Sequence, residues 1–361
     1  MNISLKHALL TLIVAATPVA AQTVVNVASW GGAYTASQQK AYADTWKEGK
    51  VNFINYEGGL DEIRIQVASG IVTWDIVDVL PHEARVGCDE GLFEELDRSM
   101  FTPTADGTSM DDDLLVPPPN DCVVPQVFWS YVPFYQEGTF SGEQPTTIAD
   151  FFNVKKFPGK RGIHTWPNAL IEMALVADGV SVKEVYDVMS TDEGIDRAFR
   201  MLDKIRDHAV FWSSGAEPLK LVKSGRVSMS LAFNGRIGAA ILFEDEKFVT
   251  VWDGQVLEEE WLVLLKGAPN AEQALKFLVH ASAPEQQAAQ ARYINYGPMR
   301  QSAFEIIRAG EPWFDNGKTI MEHMPNRPEV MSRSVVADPD WWADYGEPVD
   351  ERYTAWMAQY F

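Results

Sequence analysis

The sequence predicts an α/β fold built on a mostly parallel sheet, because strand and helix patterns alternate from the start of the ordered chain. Runs rich in β-branched residues predict strands at 24–28, 51–55 and 74–80. Helical patterns lie between these strands at 36–46 and 60–69, and in the second helix apolar residues recur at spacings of three and four. This alternation is typical of βαβ units, whose consecutive strands run parallel.

The remainder of the chain continues this mixture of strands and helices. The strand-like run 123–132 is ten residues long, enough to leave one lobe and enter another, so we interpret it as the first crossover between two lobes. Gly70 is expected to be the C-cap of the helix predicted at 60–69. Helices are predicted at 147–152, 170–178, 182–189, 193–207, 219–225, 270–280 and 284–293, and strands at 226–233, 248–252 and 260–265.

The first 21 residues have the pattern of a cleavable secretory signal. A lysine at position 6 precedes the short apolar run 8–16, and small residues follow at 17–21. The apolar run is too short to span a bilayer, although an N-terminal anchor is the alternative. We therefore expect an exported protein of about 340 residues, long enough for two α/β lobes.

The overall composition argues against several classes of function. With 30 basic and 51 acidic residues the net charge is −21, which disfavours binding to nucleic acid or to anionic membranes. The sequence contains no Gly-x-Ser-x-Gly, His-Glu-x-x-His or P-loop motif, and its six histidines lack metal-ligand spacing. We predict neither an enzyme nor a bound cofactor or metal.

The chain has two cysteines, Cys88 and Cys122. An exported protein folds in an oxidising compartment, so a disulfide between them is expected, and two buried free thiols are the alternative. Closing this loop contributes about 3–4 kcal/mol to stability in the chain-entropy model.

Five segments, taken in order, resemble the periplasmic solute-binding proteins of ABC importers, and most closely the spermidine/putrescine-binding family. The segments are 28–34 (Ala-Ser-Trp-Gly-Gly-Ala-Tyr), 74–78, 87–97, 223–235 and 295–298. The resemblance covers about 300 residues and implies the type II two-lobe fold, an α/β architecture with mixed sheets, flanking helices and a hinge between the lobes.

The resemblance also implies a domain organisation and a role in transport. After the signal at 1–21, lobe 1 would comprise 22–129 and 254–305, and lobe 2 would comprise 130–253 and 306–361. A small ligand would be trapped between the lobes by a hinge movement and delivered to an ABC permease in the inner membrane. The protein would be a periplasmic monomer.

A polyamine ligand requires carboxylates for its ammonium groups and aromatic walls for its methylenes and for cation–π contact. Strand-end positions and the resemblance together predict eight ligand-binding residues, which are Trp30, Tyr34, Glu57, Asp78, His82, Phe233, Glu260 and Tyr296. Core packing is the alternative for the aromatic residues. Solvent exposure is the alternative for Glu260, and helix capping is the alternative for Glu57. A structural hydrogen bond is the alternative for His82.

The sequence departs from the polyamine-binding pattern in the predicted second lobe. Polyamine binders carry an acidic pair shortly before a Met-Ala-Leu helix, where this chain has Trp166 and Asn168, and Glu172 is expected on another helix face. The pocket would then hold fewer ammonium groups. An amino acid derivative or a carboxylate is therefore an alternative ligand, with Arg64 or Arg236 as its anionic partner.

Three further possibilities remain open from the residues alone. Tryptophan walls would also suit a thiamine-like cation. An iron(III) carrier would use a tyrosine cluster, for which Tyr293 and Tyr296 are the candidates. Asp340 and Trp341, in the tail, are additional candidates for ligand contact.

Overall fold

The computed structural model describes residues 23–358, so the predicted signal at 1–21 lies outside the described residues. Within this range the strands form one mixed sheet in the order β2-β1-β3-β9-β4-β7-β5-β6, with β8 and β10 paired to β4 and β11 paired to β9. The strands are β1 (Val24–Ser29), β2 (Lys50–Asn55), β3 (Ile76–Val79), β4 (Val123–Gln136), β5 (Arg161–His164), β6 (Ala209–Trp212), β7 (Met229–Phe233), β8 (Phe248–Thr250), β9 (Val256–Leu264), β10 (Gly297–Pro298) and β11 (Val335–Val336).

The sheet is parallel at its two ends and antiparallel at its centre. β1 pairs in parallel with β2 and β3, and β5 pairs in parallel with β6 and β7, as alternation of strand and helix predicts. At the centre, β9 is antiparallel to β3 and β4, and β4 is antiparallel to β7. The expectation of a mostly parallel sheet is therefore wrong, because two long strands connect the end portions in opposite directions.

Helices cover the sheet and follow most of the predicted ranges. They are α1 (Gly32–Gln38), α2 (Asp61–Ser69), α3 (Pro81–Asp89), α4 (Ile148–Phe152), α5 (Leu170–Ala177), α6 (Val185–Met189), α7 (Asp192–Ile205), α8 (Glu217–Lys223), α9 (Asn234–Glu244), α10 (Ala271–Ala281), α11 (Pro284–Gln290), α12 (Gln301–Ala309), α13 (Pro328–Met331) and α14 (Pro339–Met357). A π-helical turn, Gln39–Ala43, extends α1. The predicted C-cap Gly70 has a left-handed φ of 68°, which glycine adopts without strain.

Five of these helices are absent from the sequence prediction, namely α3, α9, α12, α13 and α14. α3 begins at Pro81, where the pattern shows only the end of a strand, and Glu83 accepts a hydrogen bond from the Leu80 N–H at its N-terminus. α14 is nineteen residues long although it contains Pro348, a residue that usually interrupts a helix. In α3 and α14 the sequence pattern treats proline as a helix breaker. Proline is well tolerated in a first turn, where Pro81 and Pro339 lie.

The apolar core is divided into separate clusters on the two sides of the central strands. One cluster joins α5, α7 and α14 to β5 through residues such as Met173, Leu202 and Tyr353. Another joins β1, β9 and α10 through residues such as Val25 and Phe277. The long strand β4 contributes to clusters on both sides. The lobe boundaries themselves stay a prediction.

Two covalent or ionic links tie loops to this framework. The predicted disulfide is confirmed, since Cys88 at the end of α3 is bonded to Cys122 immediately before β4. Arg300 and Asp113 form a buried ion pair, 2.7 Å between Nε and Oδ2, with side chains 0% and 6% exposed. In the part of the chain that the structure describes, no helix combines the length and apolar character needed to cross a bilayer.

Candidate functional site

A buried carboxylate, Glu260, lies at the centre of the candidate site. It lies on β9, is 3% exposed, and accepts hydrogen bonds from two indole N–H groups. Trp30 Nε1 donates to Oε1 at 2.6 Å, and Trp129 Nε1 donates to Oε2 at 3.2 Å. Burial, followed by the charge of Asp78, holds the pKa of Glu260 well above its ordinary value. The carboxylate has no cation partner among residues 23–358, and a neighbouring cation would favour its charged form.

An aromatic wall extends from Glu260 along β4. Trp129 and Tyr131 are two residues apart and share one face of the strand, because strand side chains alternate. Their rings lie 5.1 Å apart, and Phe233 on β7 packs against both at 5.4 and 5.1 Å. Trp166 continues the wall and donates from Nε1 to the Tyr131 hydroxyl at 3.2 Å. Such a wall suits the methylenes of a ligand and the π faces suit its cation.

Asp78 lies behind this wall rather than on it. It is 0% exposed in β3 and accepts hydrogen bonds from the Tyr34 hydroxyl at 2.7 Å and from Gln38 Nε2 at 3.1 Å. Burial raises the pKa of Asp78 to about 7, although these hydrogen bonds favour the charged form. Tyr34 and Asp78 therefore form a buried, hydrogen-bonded pair next to the site.

Tyr296 packs in one cluster with Tyr34 and Trp30, and the charge of Arg236 acts on its ring. The Tyr296 ring is 6.2 Å from the Tyr34 ring and packs on Gly235, where a Cβ would lie 2.2 Å from Tyr296 Cε1. Burial raises the pKa of Tyr296 to about 12, the positive charge of Arg236 opposes this rise, and the charge of Glu260 adds to it. A cation and an anion thus act on the same phenol ring. Arg236 is exposed, and among residues 23–358 it has no ion pair or hydrogen bond.

Two more acidic residues border the aromatic wall. Glu258 is the cross-strand partner of Trp129 and shares the β9 face of Glu260. Glu172 is fully buried in α5, and its charge acts on both Glu258 and Tyr131. The helix α5 is buried around almost its whole circumference, and the expectation that Glu172 lies on another helix face from the family's acidic pair stays a prediction.

Two of the predicted residues differ from the others in being exposed. Glu57 and His82 are exposed, and neither has a hydrogen bond or ion pair within the described range. Arg64 is engaged away from the site by Glu90, 2.8 Å between Nε and Oε2. Of the tail candidates, Asp340 pairs with Arg85. Trp341 donates to Ser190 Oγ at 2.9 Å. Trp30, Tyr34, Asp78, Phe233, Glu260 and Tyr296 are clustered as expected, and their contact with a ligand stays a prediction.

Sequence reasoning missed several residues of the cluster, chiefly Trp129, Tyr131 and Glu258. The sequence does contain a signal for them. Aromatic residues stand two positions apart at 129 and 131, and acidic residues stand two positions apart at 258 and 260. This spacing puts two like side chains on one face of a strand. It becomes informative only once β4 and β9 are known to be neighbours.

Comparison with known proteins shows the family to which this chain belongs. Residues 33–321 match the family model for bacterial extracellular solute-binding proteins. A gamma-aminobutyric acid-binding protein of Pseudomonas aeruginosa is 36% identical over 341 residues, which cover 93% of this chain and 91% of that protein.

Solved structures resemble the whole described chain. An ABC transporter substrate-binding protein from Bradyrhizobium japonicum has 32% identity and a TM-score of 0.79, covering 92% of this chain and 99% of that one. A gamma-aminobutyric acid (GABA) receptor has 28% identity and a TM-score of 0.76, covering 93% and 98%. A spermidine/putrescine substrate-binding protein of Streptococcus pneumoniae has 15% identity and a TM-score of 0.66, covering 92% and 99%, and is similar in fold alone. These neighbours share the two-lobe α/β fold expected from the sequence.

Proposed function

This chain belongs to the bacterial extracellular solute-binding proteins, and on that basis we propose that it is the periplasmic substrate-binding component of an ABC importer. Its proposed ligand is a small amino acid whose amine and carboxylate lie at opposite ends, of the GABA class. This is the amino acid alternative considered from the sequence, and it displaces the polyamine as the first choice. The proposal includes delivery of the ligand to a membrane permease by a monomer, and a role in binding rather than catalysis.

One observation carries the proposal: an uncompensated buried carboxylate and an unpaired guanidinium flank one aromatic ring. Glu260 would hold the ammonium end, since two indoles orient its oxygens and no cation neutralises it within residues 23–358. Arg236 would hold the carboxylate end through the bidentate geometry that guanidinium favours. The rings of Trp129 and Tyr296 would cover the methylenes between the two charges. A polyamine has no anionic group for Arg236.

The identities of the relatives also support this ligand class. The GABA-binding relative shares 36% identity across nearly the whole chain, whereas the polyamine-binding neighbour shares 15%. Export is supported by the predicted signal at 1–21 and by the family to which the chain belongs.

Thermal shift and calorimetry with defined ligands test the proposal. We expect stabilisation by GABA and 5-aminovalerate, and little or none by putrescine, spermidine, butyrate or butylamine, since each of these lacks one of the required charges. A ligand that binds only the native state stabilises it by about 2.7 kcal/mol at 100 times its Kd. Stabilisation by polyamines alone, or by no amino acid, would overturn the proposed ligand.

A single variant tests the role assigned to the guanidinium. Arg236→Gln should weaken GABA binding about 10- to 100-fold, the value of a charge-assisted hydrogen-bond pair, without lowering the melting temperature of the free protein. Arg226→Gln is the matched control, because Arg226 is also exposed and has no ion pair within the described residues. Equal affinities in the two variants would contradict the assignment.

A further inference from the structure

Glu172 presents a carboxylate oxygen that is buried and unsatisfied. Its Oε1 accepts hydrogen bonds from the Tyr186 hydroxyl at 2.9 Å and from Trp342 Nε1 at 2.7 Å. Its Oε2 is buried and has no hydrogen-bond partner among residues 23–358, although the residue is 0% exposed. A buried polar atom without a partner is costly and calls for an explanation, which a bound group would supply.

Glu258 is a second acidic side chain without a cation partner within the described range, and the charge of Glu172 acts on it. It is half-buried on β9, opposite Trp129, and has no hydrogen bond or ion pair within the described range. Burial raises its pKa to about 8, with the charges of Glu172 and Glu259 as further causes, and burial raises that of Glu172 to about 7. Two desolvated carboxylates that repel each other favour a cation between them.

We propose that Glu172 and Glu258 form a second cation subsite, beside that of Glu260, which takes an additional ammonium or guanidinium group of the ligand. The proposal rests on the proposed function, which accounts for the first ammonium and the carboxylate. The preferred ligands would then be small amino acids that carry a second basic group.

The surroundings favour an organic cation over other occupants. Tyr186 and Trp342 contact Glu172 directly, and Tyr131 packs on Trp129, the cross-strand partner of Glu258. Aromatic rings bind ammonium and guanidinium groups by cation–π contact. Two carboxylates repel an anion. A divalent metal would need more ligands, and no group of three acidic, histidine or cysteine side chains within residues 23–358 is arranged to hold one.

The position of Trp129 links the second subsite to the first. Its indole donates to Glu260 Oε2, and its backbone is paired with that of Glu258. The two acidic side chains therefore flank one tryptophan on the same strand face.

A purely structural role would account for Oε1 of Glu172 but not for Oε2, which has no hydrogen-bond partner within the described range. The hydrogen bonds from Tyr186 and Trp342 require only one acceptor oxygen, which a glutamine carbonyl also supplies. Glu172→Gln therefore preserves those contacts and removes only the charge. This substitution separates a structural role from a ligand-binding role.

Calorimetry with matched amino acids tests the second subsite. GABA and 5-aminovalerate carry one amine, and 2,4-diaminobutyrate, ornithine and lysine carry two. We expect the best diamino acid to bind wild-type protein about tenfold or more tightly than GABA. Glu172→Gln should remove that advantage and leave GABA affinity within about twofold.

Controls keep the outcomes distinct. Glu258→Gln should behave as Glu172→Gln does, and Glu184→Gln, an exposed acid without an ion pair in the described range, should behave as wild type. Thermal melting of each free variant verifies folding. The second subsite is wrong if no diamino acid binds more tightly than GABA, or if both glutamine variants weaken GABA and diamino acids equally. Tight binding of putrescine without binding of any amino acid would overturn the proposed function and leave the second subsite standing.

Discussion

Two buried aspartates, Asp113 and Asp78, differ in whether a neighbouring cation compensates their charge. Asp113 pairs with Arg300 at 2.7 Å and also accepts a hydrogen bond from the Ser302 N–H at 2.9 Å. Among residues 23–358 Asp78 has neutral donors, including Tyr34 and Gln38, and no cation, and burial raises its pKa to about 7. A cation compensates the charge of Asp113, whereas no cation compensates that of Asp78, so burial favours its protonated form.

Removal of Arg300 should destabilise the protein strongly. Arg300→Met leaves Asp113 buried without its cation, so we expect a loss of about 3–5 kcal/mol in the free energy of unfolding. Urea unfolding measures it. Arg308→Gln breaks an exposed pair with Glu305 and should cost less than about 1 kcal/mol. Similar losses in the two variants would show that burial of the pair is irrelevant to its contribution.

At the scale of elements, β9 is the strand that concentrates charge at the site. Glu258 and Glu260 share one face, and Glu259 on the other face accepts a hydrogen bond from Trp261 Nε1 at 3.0 Å. In the sequence this run resembles a solvated acidic segment. Its burial follows from the position of β9 between β3 and β4 in the centre of the sheet.

The buried acids of β9 should make the ligand-free protein less stable as pH rises. The pKa of Glu258 is raised by burial and by the charges of Glu172 and Glu259 from its ordinary value of 4.5 to about 8. Between these values the folded state binds more protons than the unfolded state, so the stabilising contribution is complete below pH 4.5 and is lost as pH rises through about 8. The slope is at most about 1.4 kcal/mol per pH unit for one group.

Glu258→Gln should remove this contribution. Urea unfolding of wild type and variant at about pH 5, 6, 7 and 8, roughly the window of the shift, should give a stability difference that grows in favour of the variant as pH increases. Glu184→Gln serves as the exposed control. Parallel pH profiles for wild type and Glu258→Gln would contradict the assigned pKa shift.

At the scale of the whole molecule, α14 connects regions that are distant in the chain. Its Trp342 donates a hydrogen bond to Glu172 on α5. Its Asp340 lies 2.7 Å from Nε of Arg85 on α3, an ion pair without the alignment of a hydrogen bond. In the predicted domain organisation Arg85 belongs to lobe 1 and Asp340 to lobe 2. The pair would then form only where the lobes meet.

Loss of this ion pair should speed release of the ligand. Exposed pairs contribute up to about 1 kcal/mol, so we expect Asp340→Asn to raise the dissociation rate of GABA about two- to fivefold, with the effect decreasing at high salt. Stopped-flow tryptophan fluorescence measures the rate. Asp344→Asn, on the same helix and without an ion pair in the described range, is the control. Identical rates for wild type and Asp340→Asn would show that the pair does not hold the lobes together.

Local patterns were sufficient for much of the fold and for part of the site. The residues alone predicted the α/β class, most strands and helices and the cysteine pair, whereas the choice of Glu260 and the other site candidates also drew on the resemblance to solute-binding proteins. They failed where proline obscured a helix, as in α3 and α14, and where two strands run antiparallel between parallel ends. Periodicity reports a side chain's environment within one element and carries no information on which elements are neighbours.

The residues in order were enough to establish the fold class, the disulfide partners and the resemblance to solute-binding proteins, because these depend on local periodicity, composition and motif order. The tertiary structure decided which side chains meet. Trp30 and Glu260 are 230 positions apart, and Glu172 and Trp342 are 170 apart. Such contacts depend on how the elements pack, and only packing determines whether a carboxylate is solvated, compensated by arginine or left for a ligand.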